Sequence, residues 1–346
     1  MEMSVKQKIA QMLICTPSVK NFEKDVRTLI EEYQIGGIIL YSKHYNSYQE
    51  MLEKINYIKQ YSRNVAIPVW IAIDQEGGRV NRFPDEIKNI KNARSIGKTN
   101  NVHLAEEMGK ITGEMLNKTG IHMNFAPVLD IEHYEENTSI GNRAYGKDKN
   151  TVISMGIPVM KALQKENIIA VAKHFPGHGL SKVDSHFFIP RITEKEEVLR
   201  NEELKPFAIA IQEGADAIML GHLLIEAWDA KTPASLSEHI VTNILKNELN
   251  FEGLIITDDL KMLAIRLMYS MEEAVSKAII AGNDSIILGL ETNKILSIIE
   301  KVEKRIFRGI IPLEKVDKSV NKIIQMKKKY KIGNEPAKRN QYTKYK

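Results

Sequence analysis

At 346 residues, with 43% hydrophobic and 27% charged side chains, the chain has the composition of an ordinary globular protein and the length to bury a large core. Its single cysteine, Cys15, excludes an internal disulfide and a cysteine-built metal site, and no apolar run approaches the roughly 18 residues of a membrane span. The net charge of +5 would suit a nucleic-acid partner only if it lay on the body of the protein, yet residues 326–346 hold eight basic side chains against Glu335 alone. Residues 1–325 are therefore close to neutral, and residues 326–346 are expected to form a solvated, flexible basic tail.

Met1 to Lys6 lead straight into an amphipathic segment rather than a charged start, a long apolar stretch and a small-residue cleavage site, so the cytoplasm is the expected location. Short β-branched runs then recur: Gln11–Thr16, Gly37–Tyr41, Pro68–Asp74, Met123–Asp130, Ile168–His174, Ala217–His222, Leu254–Asp258 and Ser285–Leu288. Helical periodicity fills most of the gaps, at Asn46–Arg63, Asn101–Thr119, Thr151–Glu166, Lys195–Glu213, Ser237–Leu249 and Met271–Ala281, with a last amphipathic helix over Leu313–Lys329. Near-continuous apolar strands alternating with helices describe a parallel sheet covered by helices. Eight such units favour closure, so the expected fold is α/β, a single (β/α)8 TIM-type barrel over residues 1–325. Asp216 and Asp284 precede their strands and are read as structural residues at the bottom of that barrel.

The ends of the strands carry the chemistry. Apolar runs finish in Asp74, in Asp130, in Lys173-His174, in His222 and in Asp258-Asp259. A strand-end Asp often caps the next helix, but capping does not explain Lys173, His174 and His222. Ionisable groups at five strand ends form a ring at the C-terminal mouth, where barrel enzymes keep their active sites. After Lys173-His174 comes a long loop, Phe175-Pro176-Gly177-His178-Gly179 and then Asp184-Ser185-His186. Asp184 and His186 are spaced so that the carboxylate can orient the imidazole and support its protonated form, which suits general acid and base work. His174, His178 and His186 lie in a Gly- and Pro-containing loop, so no helix presents them together, and no metal or cofactor is expected.

These residues resemble glycoside hydrolase family 3, and within it the NagZ-type β-N-acetylglucosaminidase branch. The matching motifs are Ile73-Asp74-Gln75-Glu76-Gly77-Gly78-Arg79-Val80 with Arg82, the Lys173 to Gly179 run, Asp184-Ser185-His186, and Thr257-Asp258-Asp259-Leu260-Lys261-Met262. Supporting matches are Asn124 to Asp130, Ile140-Gly141-Asn142-Arg143 and Pro233 to Ser237. The resemblance implies a retaining exo-β-N-acetylglucosaminidase that acts on small glycosides, with muropeptide fragments of the cell wall as the implied source. It also implies Asp258 as nucleophile, with Asp259 as the neighbouring rival, and His186 as acid/base paired with Asp184. Asp74, Arg82, Arg143, Lys173 and His174 would line the sugar pocket, and His178 would brace the loop. The second domain of many relatives is not expected, Lys182 departs from the small or acidic residues usual in the branch, and a monomer with no nucleic-acid or membrane partner is expected. Two alternatives stay open: a phosphorylase that uses phosphate in place of water, and a catalytically inactive sugar-binding barrel.

Overall fold

The computed structural model describes residues 3–134, 137–181 and 189–333. Ten strands occur among them: β1 (Leu13–Cys15), β2 (Gly37–Leu40), β3 (Trp70–Ile73), β4 (Met123–Asn124), β5 (Ile169–Phe175), β6 (Arg191–Ile192), β7 (Ala217–Leu220), β8 (Leu224–Ile225), β9 (Leu254–Thr257) and β10 (Ile286–Leu288). Eight pair in parallel in the order β10-β1-β2-β3-β4-β5-β7-β9. The two ends of this series meet through a bridge from Ile256 to Ser285, with Thr257 N donating to Ser285 O at 3.0 Å. The sheet thus closes on itself as a (β/α)8 barrel, as the eight apolar runs predict. β6 and β8 form a separate two-stranded parallel ribbon on the loops after β5 and β7.

The helices begin and end where the side chains dictate. Ser4 and Ser270 make reciprocal capping boxes with Gln7 and Glu273. Gly120 and Gly282 end their helices in the left-handed region, at φ of 86° and 106°. The long helices Tyr48–Ser62, Val102–Thr119, Lys149–Lys165 and Thr292–Phe307 bury one apolar stripe each against the barrel wall. Gly37 must be glycine because a Cβ there would sit 2.0 Å from the Trp70 ring, which packs against β2 at the foot of the barrel.

Three elements differ from the expectations. β4 stops at Asn124, because Pro127 has no N–H for a ladder; the chain still runs beside β5, with Lys173 N donating to Pro127 O and Leu129 N to Lys173 O. The helix expected over Lys195–Glu213 is interrupted by a π turn at Leu199–Glu203, and the one over Ser237–Leu249 runs as a π-helix from His239 to Glu248. The segment expected as a tail from residue 326 begins inside the last helix, Leu313–Lys329. That helix buries Val316, Ser319, Val320, Ile323 and Lys327 at helical spacing, so Lys327 falls on the face turned to the barrel. Its Nζ donates to Gly36 O at 2.8 Å and Gln11 Oε1 at 3.0 Å and lies 4.8 Å from the centre of the Trp70 ring. Tyr330 and Ile332 are buried beyond it, and Tyr330 and Lys329 both bond Asp216. The barrel therefore continues to Gly333, and residues 334–346 lie outside the described residues. Asp216 and Asp284 sit at the foot as expected, Asp284 holding Lys322, Ser319 and Ile255 N.

Candidate active site

At the C-terminal mouth of the barrel lies a cavity of about 560 Å³. Asp74, Glu76, Arg82, Arg143, Lys173, His174, Asp258 and Asp259 all reach it. β3 delivers Asp74 at its end and Glu76 two residues on, while the intervening Gln75 turns away to bond Asn81 and to accept from Arg82 N. Asn124 at the end of β4 clamps that turn by exchanging hydrogen bonds with the backbone of Gln75, both at 2.9 Å. On β5 the register shifts between Lys173 and Phe175. Neighbours on a regular strand face opposite sides, so the irregularity is what lets Lys173 and His174 reach the cavity together.

The floor is one continuous ion-pair chain. Lys173, 2% exposed, donates to Asp74 Oδ1 at 2.8 Å and to Glu76 Oε1 at 2.6 Å. Glu76 also receives both prongs of the Arg143 guanidinium at 2.8 Å, a bidentate geometry that fixes orientation as well as charge. Arg143 Nη1 holds Ser139 O at 2.7 Å, and Nη2 approaches His174 Nε2 at 3.4 Å. Since arginine can only donate, Nε2 accepts and the His174 proton sits on Nδ1, facing Asp130 Oδ2 at 2.6 Å. Asp130, fully buried, also accepts the backbone N–H of His178 at 2.7 Å. The imidazole is thus fixed at both nitrogens.

These contacts set the charges. Burial would raise the carboxyl of Glu76, but Arg143 and Lys173 outweigh it and hold the group well below the usual range. Burial likewise works against Lys173, and Asp74 and Glu76 keep it protonated. Asp130 stays ionised against burial through His174 and His178. His178 is pushed by burial down to about 4 and so is neutral.

Asp258 and Asp259 follow β9 and part company there. Asp259 turns back into the fold, its Oδ1 accepting from Lys261 N and Gly289 N at 2.9 Å each. A Cβ at Gly289 would lie 2.2 Å from Asp259 Oδ2, so glycine at the end of β10 makes room for that carboxylate. Burial pushes Asp259 above its ordinary value despite the two N–H donors. Burial acts on Asp258 too, but the field of His222, an N–H from Asp259 and the field of Lys173 leave it below its ordinary value and ionised. His222 is wholly buried, paired with Ser235 Oγ at 2.7 Å and donating to Asp259 O at 3.1 Å. Arg82 stands over the Tyr41 ring at 5.9 Å, and among the described residues its buried Nε–H has no acceptor.

The structure therefore brings Asp74, Arg82, Arg143, Lys173, His174 and Asp258 to one cavity. Asp184 and His186 lie outside the described residues. Glu76 was given no role by its sequence; its spacing of two from Asp74 was the available signal, and its partners come from 67 and 97 residues away. Among the described residues, no group of three or more His, Cys, Asp or Glu side chains is arranged to hold a metal ion. No helix among them is long and apolar enough to cross a membrane.

Residues 4–326 match the model of the glycosyl hydrolase family 3 N terminal domain. A β-hexosaminidase of Nitrosomonas eutropha is 33% identical over 260 residues, 73% of each chain. Another, of Haemophilus influenzae, is 31% identical over 290 residues, 82% of this chain and 81% of its own. A glycoside hydrolase family 3 β-N-acetylglucosaminidase from Paenibacillus superposes with a TM-score of 0.94 at 31% identity, over 99% of this chain and 65% of that one. The chain thus spans about two thirds of the length of that enzyme. Mycobacterium tuberculosis LpqI superposes with a TM-score of 0.86 at 28% identity, over 94% of each chain.

Proposed function

The chain belongs to glycosyl hydrolase family 3, in its β-hexosaminidase branch, and from that membership we propose that it is a retaining exo-β-N-acetylglucosaminidase with Asp258 as nucleophile. One observation carries the reading: the Asp258 carboxylate stands at the end of β9 in a cavity whose buried Lys173 and Arg143 are both paired with carboxylates. Such a floor offers fixed, charge-assisted hydrogen bonds to a neutral sugar without presenting it with a bare ion. Asp74, Arg82, Arg143, Lys173 and His174 are the residues assigned to the hydroxyls and acetamido group of the terminal N-acetylglucosamine.

In the first step an Asp258 oxygen attacks the anomeric carbon. The glycosidic C–O bond breaks, its electron pair leaves with the aglycone oxygen, and that oxygen takes a proton from His186. In the second step water attacks the anomeric carbon of the glycosyl ester, gives its proton to His186, and the ester bond returns its electrons to Asp258. Two inversions retain the β configuration. Asp184 orients His186 and supports its charged form. The chemistry calls for no cofactor. Terminal N-acetylglucosamine on muropeptide fragments in the cytoplasm is the assigned substrate; fractionation of the source cells tests the location.

The test is turnover of para-nitrophenyl β-N-acetylglucosaminide and of the matching β-glucoside, each with and without phosphate, beside Asp258→Ala. Release from the N-acetyl substrate alone, independent of phosphate and lost in the variant, is expected. Phosphate-dependent release of a sugar phosphate would replace the hydrolase by a phosphorylase, and no turnover by the wild type would leave a sugar-binding barrel.

A further inference from the structure

The charges around the cavity divide by depth. Deep in the floor the two buried cations have carboxylates: Lys173 has Asp74 and Glu76, and Arg143 has Glu76. At the rim the pattern reverses. Lys261 and Arg266 both reach the cavity, both are exposed, and among the described residues neither side chain has a carboxylate within ion-pair distance. Asp259 senses the charge of Lys261, and its carboxylate is committed to the backbone N–H groups of Lys261 and Gly289.

The backbone that carries the two rim cations is braced relative to Asp258. Leu260, between them and β9, is buried and donates its N–H to Ile287 O at 3.1 Å. Met262 N donates to Asp259 O at 2.9 Å, and Arg266 N donates to Met262 O at 3.2 Å. The turn from Asp259 to Met262 and the short helix Leu263–Arg266 thus form one braced unit that begins at the nucleophile itself. A compensated floor suits a neutral sugar; an uncompensated, positioned pair of cations at the mouth suits a negative group carried by whatever the sugar is attached to.

We propose that Lys261 and Arg266 form an anion-recognising subsite for the leaving-group side of the substrate, and that they select aglycones bearing a carboxylate. The inference rests on the glycosidase reading above and adds the residues and charge that set aglycone preference. Two exposed ion pairs correspond to a preference of roughly 2- to 30-fold in kcat/KM.

The experiment compares para-nitrophenyl β-N-acetylglucosaminide with the same glycoside carrying a ring carboxylate, in wild type, in Lys261→Gln/Arg266→Gln and in Lys261→Glu/Arg266→Glu. The readout is the ratio of the two kcat/KM values at low salt and at about 0.5 M sodium chloride, where exposed charges are screened. In the wild type the ratio should favour the carboxylated substrate at low salt and approach that of the Gln variant at high salt; in the Glu variant it should invert. Equal ratios in all three proteins would overturn the subsite while leaving the glycosidase intact. Acceleration by inorganic phosphate, lost in the Gln variant, would overturn it in favour of an acceptor-phosphate site. Turnover of neither glycoside by the wild type would remove the glycosidase reading and this inference with it.

Discussion

Replacing Lys327 with methionine should change how the stability of the barrel depends on pH. The amine is buried, among the described residues it has no carboxylate in ion-pair distance, and burial pushes it from 10.5 down to about 7. Between these values the unfolded chain binds a proton that the folded chain lacks, so the stability contributed by this group rises with pH, by up to about 1.4 kcal/mol per unit. Below about pH 7 the folded chain must hold the charge as well, and the cost of burying it is fully present. From about pH 7.5 to about pH 9.5 the wild type should therefore gain about 2 kcal/mol relative to Lys327→Met. The comparison isolates Lys327 because other groups titrate alike in both proteins. Methionine keeps the unbranched stem on the Trp70 ring, and Gly36 O keeps its bond from Trp70 N. Urea unfolding at a series of pH values measures the difference directly. Parallel stability curves for the two proteins would refute the argument, because they would mean that the amine keeps its ordinary protonation in the fold.

Glu76→Gln leaves Arg143 without a carboxylate and Lys173 with Asp74 alone; unfolding free energy should fall by about 3–5 kcal/mol and kcat/KM by roughly 10²-fold through displacement of the floor. Because the Glu76 carboxyl lies below its ordinary value when folded, its contribution is present above the usual carboxylate range and fades as pH falls below about 4, so acid unfolding of the wild type and the variant should converge there. Gly289→Ala forces the buried Asp259 carboxylate off its two N–H donors, with an expected loss of about 1–3 kcal/mol in denaturant midpoint analysis. Asp130→Asn leaves one acceptor oxygen where Asp130 uses two, so the His178 backbone N–H and the His174 Nδ1–H cannot both be served, and kcat should drop by on the order of 10²-fold with secondary structure unchanged by circular dichroism.

The barrel was legible because strands buried on both faces read as plain apolar runs; Gly37–Leu40 and Leu254–Thr257 stand out with no structure at hand. The cavity residues were legible for a related reason: a polar residue ending such a run must sit at a mouth, which locates Asp74, Lys173 and Asp258. Glu76 was not legible, since its importance lies in pairing with side chains distant in sequence, and nothing local records a partner. Lys327 was hidden as one of the eight basic side chains of residues 326–346; helical spacing from Val316, Val320 and Ile323 distinguishes it, and net charge does not. The register shift at Lys173–Phe175, where Lys173 and His174 both reach the cavity, is a property of the pairing between β5 and β7, which a single strand cannot show.

The covalent intermediate on Asp258 is tested most directly by trapping it with an N-acetylglucosaminyl fluoride fluorinated at the ring carbon next to oxygen. The substituent slows both steps, and the fluoride leaving group keeps the first fast enough for the ester to accumulate. Digestion and tandem mass spectrometry should find one sugar, on the peptide containing Thr257-Asp258-Asp259 and on Asp258 within it. A sugar on Asp259, or turnover of the reagent with no adduct while unlabelled substrate is still hydrolysed, would contradict the account.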